Sequence, residues 1–290
     1  MVVGRFAPSP TGPLHSGSLV AALASWLCAR IEGGRWLLRI DDLDHQRCRQ
    51  QYEDDILATL EHCGLYWDGP VYRQSAMTSH YEDAFRKLQA LSALYPCVCS
   101  RSQIAQLASA PAPGEEVPYP GTCRVQKFNT QDVRAWRVAL PERSGIFYDL
   151  WHGAVSYELN RLGDPVIKRA EGIFAYIFAA VVDDAVAGVT QVVRGEDLMG
   201  VTPRQIYLQE LLGVSTPYYG HVPLVTGPDG SKLSKRDHTV SSWGYGHDDT
   251  SRALTQALTF LGYRPDESLI GAPCPDLLQW ALGVFKPGVH

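Results

Sequence analysis

The sequence predicts an α/β fold built on a doubly wound parallel sheet. Between residues 2 and 65, short apolar runs typical of strands alternate with segments of helical apolar spacing. A second apolar pattern of this kind returns after about Gly172. Such alternation is typical of parallel sheets, whose ligands bind at the carboxyl ends of the strands. We therefore expect the functional site at that edge.

The elements of the first half follow from apolar spacing and from the Gly and Pro residues that end each run. A turn-rich loop, PSPTGPLHSG, separates the first strand from a helix that we predict to begin near Ser18 or Leu19 and to stop at Gly33 and Gly34. Strands are predicted at 2–7 and 35–40, and helices at 19–31, 52–65 and 80–94. The opening order is thus strand, helix, strand, helix.

The alternation breaks after the third helix, which predicts an insertion with two strand-like pieces, GIFYDLW and AVSYEL. The returning segments IFAYIFAAVV and GVTQVVRGEDL are interpreted as β-rich, followed by a helix over 202–213 and two last helices over 250–262 and 275–285. We divide the chain into four parts. The two halves of the main domain are 1–95 and 171–245, the insertion between them is 96–170, and a short helical segment follows at 246–290.

The composition is that of an ordinary globular enzyme: 290 residues, 45% hydrophobic, 20% charged, net charge −5. There is no apolar run of about 18 residues and no leader-like start, so we expect a cytoplasmic protein without membrane contact. We also expect a monomer. Seven cysteines at irregular spacings do not match a disulfide framework. Reduced thiols or a metal site are expected instead.

Two motifs carry phosphate chemistry. His15 and Gly17 precede a helix, where free backbone N–H groups and the positive helix end attract anions. Only six of the 26 basic residues are lysines, yet Lys232 and Lys235 lie within KLSKR, where paired ammonium groups would neutralise a departing pyrophosphate. The alternatives are a chance loop histidine and a solvated basic turn.

These motifs, with RFAPSPTG, RIDDLD, FAYIFAAVVDD and VVRGEDL, resemble the glutamyl branch of the class I aminoacyl-tRNA synthetases from Arg5 to about His238. The resemblance implies a Rossmann-type catalytic domain that uses ATP with Mg²⁺. It also implies that His15 and the two lysines stabilise charge during the reaction. The ATP-binding residues that it implies are His15, Gly17, Ser18, Lys232 and Lys235.

The same resemblance implies a pocket for L-glutamate. Arg5 and Arg194 would pair with its carboxylates, and Asp41, one methylene shorter than the family's usual glutamate, would face its α-ammonium. Such pairing is physically needed because glutamate brings three charges that must be desolvated. The full implied set is Arg5, Phe6, Ala7, Pro8, Ser9, Asp41, Tyr176 and Arg194, with Ser9 and Tyr176 as neutral hydrogen-bonding groups.

The predicted insertion holds a cysteine pair and a third cysteine that match the three-thiolate-plus-tyrosine zinc set found in part of the family. The matching residues are Cys97, Cys99, Tyr119 and Cys123. We expect one structural zinc per chain, with water or a carboxylate as the alternative to the phenol. Cys28, Cys48 and Cys63 lie in or beside helical patterns and are expected to be inert buried thiols.

Only about 50 residues follow KLSKR, so we expect no anticodon-binding domain. The resemblance is then to the shorter members that form glutamyl-adenylate without tRNA and esterify glutamate onto the queuosine base of tRNA(Asp). One alternative is a truncated glutamyl-tRNA synthetase that charges a tRNA 3′ end. Another is a non-catalytic tRNA-binding paralogue, although intact His15, Lys232 and Lys235 count against it.

Overall fold

The computed structural model describes residues 1–107, 118–125, 132–225 and 247–288. Within these ranges the strands are β1 Val3–Phe6, β2 Arg35–Ile40, β3 Tyr72–Arg73, β4 Leu94–Cys97, β5 Ala135–Val138, β6 Ser144–Asp149, β7 Gly153–Glu158, β8 Val166–Arg169, β9 Gln191–Gly195 and β10 Tyr218–Val222. The helices are α1 Ser16–Ile31, α2 Gln50–His62, α3 Thr78–Ala90, α4 Arg101–Leu107, α5 Tyr176–Val186, α6 Thr202–Leu212, α7 His247–Phe260 and α8 Cys274–Val284.

The central sheet is parallel except for its edge strand β7, and it is wound in both directions from its middle. β1, β2 and β3 pair in parallel in that order, and β9 pairs in parallel with β10. The backbone N–H of Thr190 donates to the carbonyl of Val3 at 2.9 Å, which brings the start of β9 beside β1. The chain therefore winds one way from β1 to β3 and the other way from β9 to β10. The predicted doubly wound sheet is confirmed.

Helix α1 is the centre of the main hydrophobic core. Its side chains Leu19, Leu23 and Leu27 are fully buried, and each contributes roughly 1.5–3 kcal/mol through burial. The two predicted C-terminal helices are confirmed as α7 and α8, and both pack against α1. Leu254 and Leu277 belong to the same core cluster. The last described residues are thus part of the main domain's packing.

One predicted element is wrong in type. The segment IFAYIFAAVV, interpreted as β-rich, contains the start of helix α5. Residues 178–182 are apolar and all buried, and a continuously buried apolar run does not reveal its period. Before the helix, Phe174 forms only an isolated bridge with Lys168, after a turn at Gly172 with φ +85°. The third helix also stops earlier than predicted, because Ser92 adopts φ +52° and β4 begins at Leu94.

The predicted insertion contributes to two sheets. β4, β5 and β8 form a separate antiparallel sheet. The hairpin β6–β7, however, joins the central sheet, since β6 pairs in parallel with β10 at Asp149 and Tyr219. The boundaries 96–170 remain a prediction, and part of that range belongs structurally to the main sheet.

Among the described helices, none combines the length and apolar character needed to cross a membrane.

Candidate active site

A cleft of about 320 Å³ opens at the carboxyl ends of β1 and β9. The winding of the sheet reverses between these two strands, which is where open α/β sheets bind ligands. The predicted site residues that line it are Arg5, Phe6, Ala7, Pro8, Ser9, His15, Gly17, Ser18, Tyr176 and Arg194. Residues that are nearly 190 positions apart in the chain (194 − 5 = 189) therefore meet at one site.

His15 is the N-cap of α1. Its Nδ1 accepts the backbone N–H of Ser18 at 3.2 Å, and its Nε2 lies 3.0 Å from the hydroxyl of the same serine. The imidazole thus satisfies a free N–H of the first helical turn, and α1 begins at Ser16, earlier than predicted. Because Nδ1 is an acceptor here, the neutral ring carries its proton on Nε2. In this structure that N–H contacts the Ser18 hydroxyl, and a phosphoryl oxygen would have to take the place of this hydroxyl.

The backbone beside His15 leaves room for an anion. A Cβ at Gly17 would lie in van der Waals contact with the His15 ring, 3.4 Å from two of its atoms, so a side chain there would occupy space beside the imidazole. The remaining free N–H groups of the first turn and the positive helix end favour phosphate there. Lys232 and Lys235, predicted to bind the same phosphates, lie outside the described residues. The phosphate roles remain predictions.

Arg194 is a buried cation that faces the cleft, with only 5% of its surface exposed. Its Nη2 donates to the Thr202 hydroxyl at 2.8 Å, and its Nε donates to Nε2 of His221 at 3.2 Å. Nη1 lies 3.5 Å from the Tyr176 hydroxyl. These partners are neutral, and no described carboxylate forms an ion pair with Arg194. A buried guanidinium without an anion is costly, so this side chain favours an anionic ligand.

Arg5, the other predicted carboxylate partner, enters the cleft from a buried charge cluster. Its guanidinium contacts Asp184 at 3.3 Å, while Arg39 bonds both Asp184 and Asp41 at 2.6 Å. Asp183 accepts hydrogen bonds from Gln74 and Tyr81 and lies 3.6 Å from Arg39. We define the acidic cluster as Arg5, Arg39, Asp41, Asp183 and Asp184. It holds three carboxylates but only two guanidiniums.

Asp41 is not among the residues that line the cleft. Its carboxylate accepts from Arg39, and burial raises its pKa to about 6 even though Arg39 opposes the rise. For Asp184, burial also disfavours the charge, but Arg5 and Arg39 hold its pKa below the usual value. The prediction that Asp41 faces the α-ammonium stays a prediction. In this structure its oxygens are directed to Arg39.

A second group of predicted residues converges in the insertion. The Sγ atoms of Cys97, Cys99 and Cys123 all lie within 4.8 Å of one another. Cys99 Sγ is 3.5 Å from both Cys123 Sγ and the Tyr119 hydroxyl, and the Tyr119 hydroxyl accepts the backbone N–H of Cys123 at 3.0 Å. The three thiols form no disulfide. We call these four residues the cysteine cluster.

The cysteine cluster fits a metal ion by its donor atoms and spacing. Tetrahedral zinc with Zn–S bonds of about 2.3 Å requires sulfur atoms about 3.8 Å apart. Cys99 Sγ and Cys123 Sγ are 3.5 Å apart, and Cys97 Sγ lies within 4.8 Å of both. A disulfide would instead need about 2.05 Å. The cluster is able to hold a metal by three thiols, and the buried Tyr119 hydroxyl, whose pKa burial raises, is adjacent to all three.

The sequence did not identify the two buried residues that hold Arg194 on the side away from the cleft. His221 and Asp149 are fully buried and bonded to each other at 2.6 Å, and His221 in turn accepts from Arg194. Both are single polar residues at the ends of strand patterns, where apolar neighbours are expected. That is a signal for a functional role, but it is too weak to assign one.

The fold and the cleft define a class I tRNA synthetase. A family model described as tRNA synthetases class I (E and Q), catalytic domain, matches residues 1–270. The chain is 52% identical to a glutamyl-Q tRNA(Asp) synthetase of Geobacter sulfurreducens over 99% of this chain and 92% of the relative. Proteins of the same name from Thiobacillus denitrificans and Dechloromonas aromatica are 52% and 44% identical, over 96% of this chain and 91% and 92% of theirs. The chain belongs to the class I tRNA synthetase family, among the glutamyl-Q tRNA(Asp) synthetases.

Solved structures share the fold. A glutamate tRNA ligase from Elizabethkingia meningosepticum, crystallised in complex with its amino acid, is 30% identical with a TM-score of 0.71, over 82% of this chain. A glutamate-tRNA synthetase from Elizabethkingia anophelis has a TM-score of 0.78 at 26% identity, over 96% of this chain. The chain spans 52% of the first structure and 65% of the second.

Proposed function

We propose that the chain activates L-glutamate with ATP and transfers it to the queuosine base of tRNA(Asp). The observation that carries the proposal is Arg194, a buried guanidinium that faces the cleft with neutral partners. Arg5 lines the same cleft as a second cation, although its guanidinium also contacts Asp184, so Arg194 is the one of the two whose charge has no described carboxylate partner. Relatives that match over nine-tenths of their length carry the name glutamyl-Q tRNA(Asp) synthetase.

The reaction has two steps. The α-carboxylate oxygen of glutamate attacks the α-phosphorus of ATP, the bond to the β-phosphate breaks, and pyrophosphate leaves. A hydroxyl of the queuosine cyclopentene ring then attacks the carbonyl carbon of the adenylate. The bond from that carbon to the phosphate oxygen breaks, AMP leaves, and the hydroxyl proton passes to the departing phosphate or to water. His15 exchanges the Ser18 hydroxyl for a phosphoryl oxygen that gains charge and donates to it through Nε2–H, and Lys232 and Lys235 neutralise the pyrophosphate. Bound Mg²⁺ supplies charge neutralisation to the ATP phosphates.

The decisive test compares acceptors. We expect transfer of labelled glutamate to tRNA(Asp) that carries queuosine, and none to the same tRNA without queuosine or to tRNA(Glu). The physical reason is that the ester needs the cyclopentene hydroxyl as nucleophile. Charging of tRNA(Glu) at its 3′ end would support the truncated-synthetase alternative.

Pyrophosphate exchange is measured in parallel, with glutamate and without any tRNA. Exchange is expected there, and a chain with neither activity would be the non-catalytic paralogue.

For the cysteine cluster we propose one structural zinc per chain, held by Cys97, Cys99 and Cys123 with Tyr119 as the fourth ligand. The separations of the sulfur atoms and the absence of a disulfide among these cysteines support it. Elemental analysis of protein purified without added metal is expected to find about one zinc per chain. Since metal binding contributes folding free energy, a chelator is also expected to lower Tm.

Matched serine variants test the ligand assignment. Cys123→Ser is expected to lose most of the zinc, because the serine hydroxyl is a far weaker zinc ligand than a thiolate. Cys48→Ser changes a half-buried thiol outside the cysteine cluster and is expected to keep it. Equal zinc in both variants, or full Tm without zinc, would refute the proposed site.

A further inference from the structure

We infer that Asp149 and His221 are positioning residues: they orient Arg194 for the substrate carboxylate while leaving its charge uncompensated. This inference rests on the proposed function, because it concerns the cation that would bind glutamate. Asp149 ends β6 and His221 lies on β10, whereas Arg194 lies on β9. Hydrogen bonds connect the three side chains in the order Asp149, His221, Arg194, and Arg194 lines the cleft. Neither Asp149 nor His221 lines the cleft itself.

The first link fixes the proton on the imidazole. Asp149 Oδ2 lies 2.6 Å from His221 Nδ1, and both side chains are 0% exposed. Asp149 Oδ1 accepts the backbone N–H groups of Trp151 at 2.9 Å and of His152 and His221 at 3.2 Å. An ionised carboxylate only accepts hydrogen bonds, so Nδ1 must carry the ring proton. Nε2 is then left with a lone pair.

The second link uses that lone pair to hold the arginine. Arg194 Nε donates to His221 Nε2 at 3.2 Å, and the Thr202 hydroxyl lies 3.0 Å from the same nitrogen. Arg194 Nη2 donates to Thr202 at 2.8 Å and lies 3.4 Å from the carbonyl of Leu198. The inner edge of the guanidinium is therefore anchored. Nη1, which lies 3.5 Å from Tyr176, is at the end of the group left for a ligand.

The anchoring groups are neutral, which matters for binding. A carboxylate in direct contact with Arg194 would pair with it and compete with the substrate anion. Asp149 fixes the ring proton of His221 on Nδ1, so that the neutral Nε2 accepts from Arg194 and no carboxylate contacts the guanidinium. Burial, together with Arg194, lowers the pKa of His221 against the opposing effect of Asp149, which is consistent with a neutral ring. The arrangement holds the cation in place and keeps its charge for the ligand.

Asp149→Asn gives a test that is close to isosteric. Asn Oδ1 keeps the backbone hydrogen bonds, but its amide nitrogen faces His221 Nδ1 and donates to it, so the ring proton moves to Nε2. Nε2–H then opposes the Nε–H of Arg194, donor against donor. We expect the Kd for glutamate, measured by calorimetry without ATP, to rise roughly tenfold, as for the loss of one hydrogen bond to a charged group. The KM for glutamate in pyrophosphate exchange should rise by a similar factor, with kcat changed less than threefold.

A second pair of variants keeps the inference testable if Asp149→Asn folds poorly. His221→Gln offers a side-chain oxygen near the position of Nε2 and is expected to bind glutamate within about threefold of the wild type, whereas His221→Leu is expected to lose roughly tenfold or more. His152→Gln is the control. His152 contacts the backbone carbonyl of His221 at 3.0 Å, and the described contacts of Arg194 do not include it. Glutamate binding within twofold of the wild type is expected.

The outcomes separate the two proposals. If the wild-type chain neither binds glutamate nor supports exchange, the proposed function fails. If the wild type binds glutamate and the folded Asp149→Asn variant binds it equally, the positioning role is refuted. The same holds if His221→Gln and His221→Leu weaken binding to the same extent, or if Tm falls while the Kd for glutamate is unchanged. A purely structural role would produce that last pattern.

Discussion

Replacing Lys235 with alanine is expected to slow glutamyl-adenylate formation about a hundredfold while leaving the KM for glutamate nearly unchanged. Lys235 lies in KLSKR, outside the described residues, so the prediction rests on the motif. A charge that acts on the departing pyrophosphate stabilises the transition state more than bound glutamate, so kcat and kcat/KM fall together. Loss of one such electrostatic contact costs about 3 kcal/mol. Pyrophosphate exchange at varied glutamate measures both constants.

The matched comparison is Arg194→Ala, which removes a different cation from the proposed site. This variant is expected to raise the KM for glutamate, since Arg194 faces the cleft with neutral partners and would pair with a substrate carboxylate. A Lys235→Ala variant within about twofold of the wild-type rate would mean too small an effect for a phosphate-stabilising role. KLSKR would then be a basic turn, and the non-catalytic alternative would gain support.

Replacing Asp184 with asparagine is expected to lower the free energy of unfolding by about 3–5 kcal/mol, the cost of breaking a buried ion pair from one side. Asp184 is 7% exposed and contacts both Arg5 and Arg39. Its loss leaves Arg5 without its carboxylate partner among the described residues. Urea unfolding at pH 8 without ligands provides the measurement.

Asp41→Asn is the matched control within the acidic cluster. It removes a carboxylate whose pKa is raised to about 6, and Arg39 keeps Asp184 as partner. A carboxyl group with a raised folded-state pKa stabilises the fold fully below its unfolded pKa, and that contribution is lost as pH rises through about 6. The shift from 3.8 corresponds to about 3 kcal/mol at most. Asp41→Asn should therefore lower the free energy of unfolding less at pH 8 than at pH 5.

If Asp184→Asn and Asp41→Asn lowered the free energy of unfolding equally at pH 8, the prediction that Asp184 contributes more than Asp41 would be contradicted. A destabilisation by Asp41→Asn that grows as the pH rises would also contradict it. Either result would mean that the ion pair of Asp41 with Arg39 stabilises the fold at least as much as the ion pairs of Asp184 do. The contrast is informative because both variants replace one buried carboxylate by its amide, and both carboxylates contact the same guanidinium of Arg39.

Much of the cleft was predictable because its residues lie at ends of recognisable elements. His15 and Gly17 sit in a Gly- and Pro-rich loop between a strand and a helix, and such a loop lies at the carboxyl edge of a parallel sheet. Arg194 closes an apolar strand pattern at the same edge. The type of α5 was not predictable, since a fully buried apolar run fits a helix or a strand equally well.

By itself the sequence determined the class of fold, the family and the order of the motifs along the chain. It also pointed to ten of the residues that line the cleft and to the four residues of the cysteine cluster, but not to the true surroundings of Asp41. Only the tertiary structure decided how the buried charges are shared. The Asp41 carboxylate accepts from Arg39. His221 accepts from Arg194 and is itself hydrogen-bonded to Asp149. The reason is physical: motifs and apolar periods depend on local spacing, whereas partners of a buried charge come from distant segments that only packing brings within hydrogen-bonding distance.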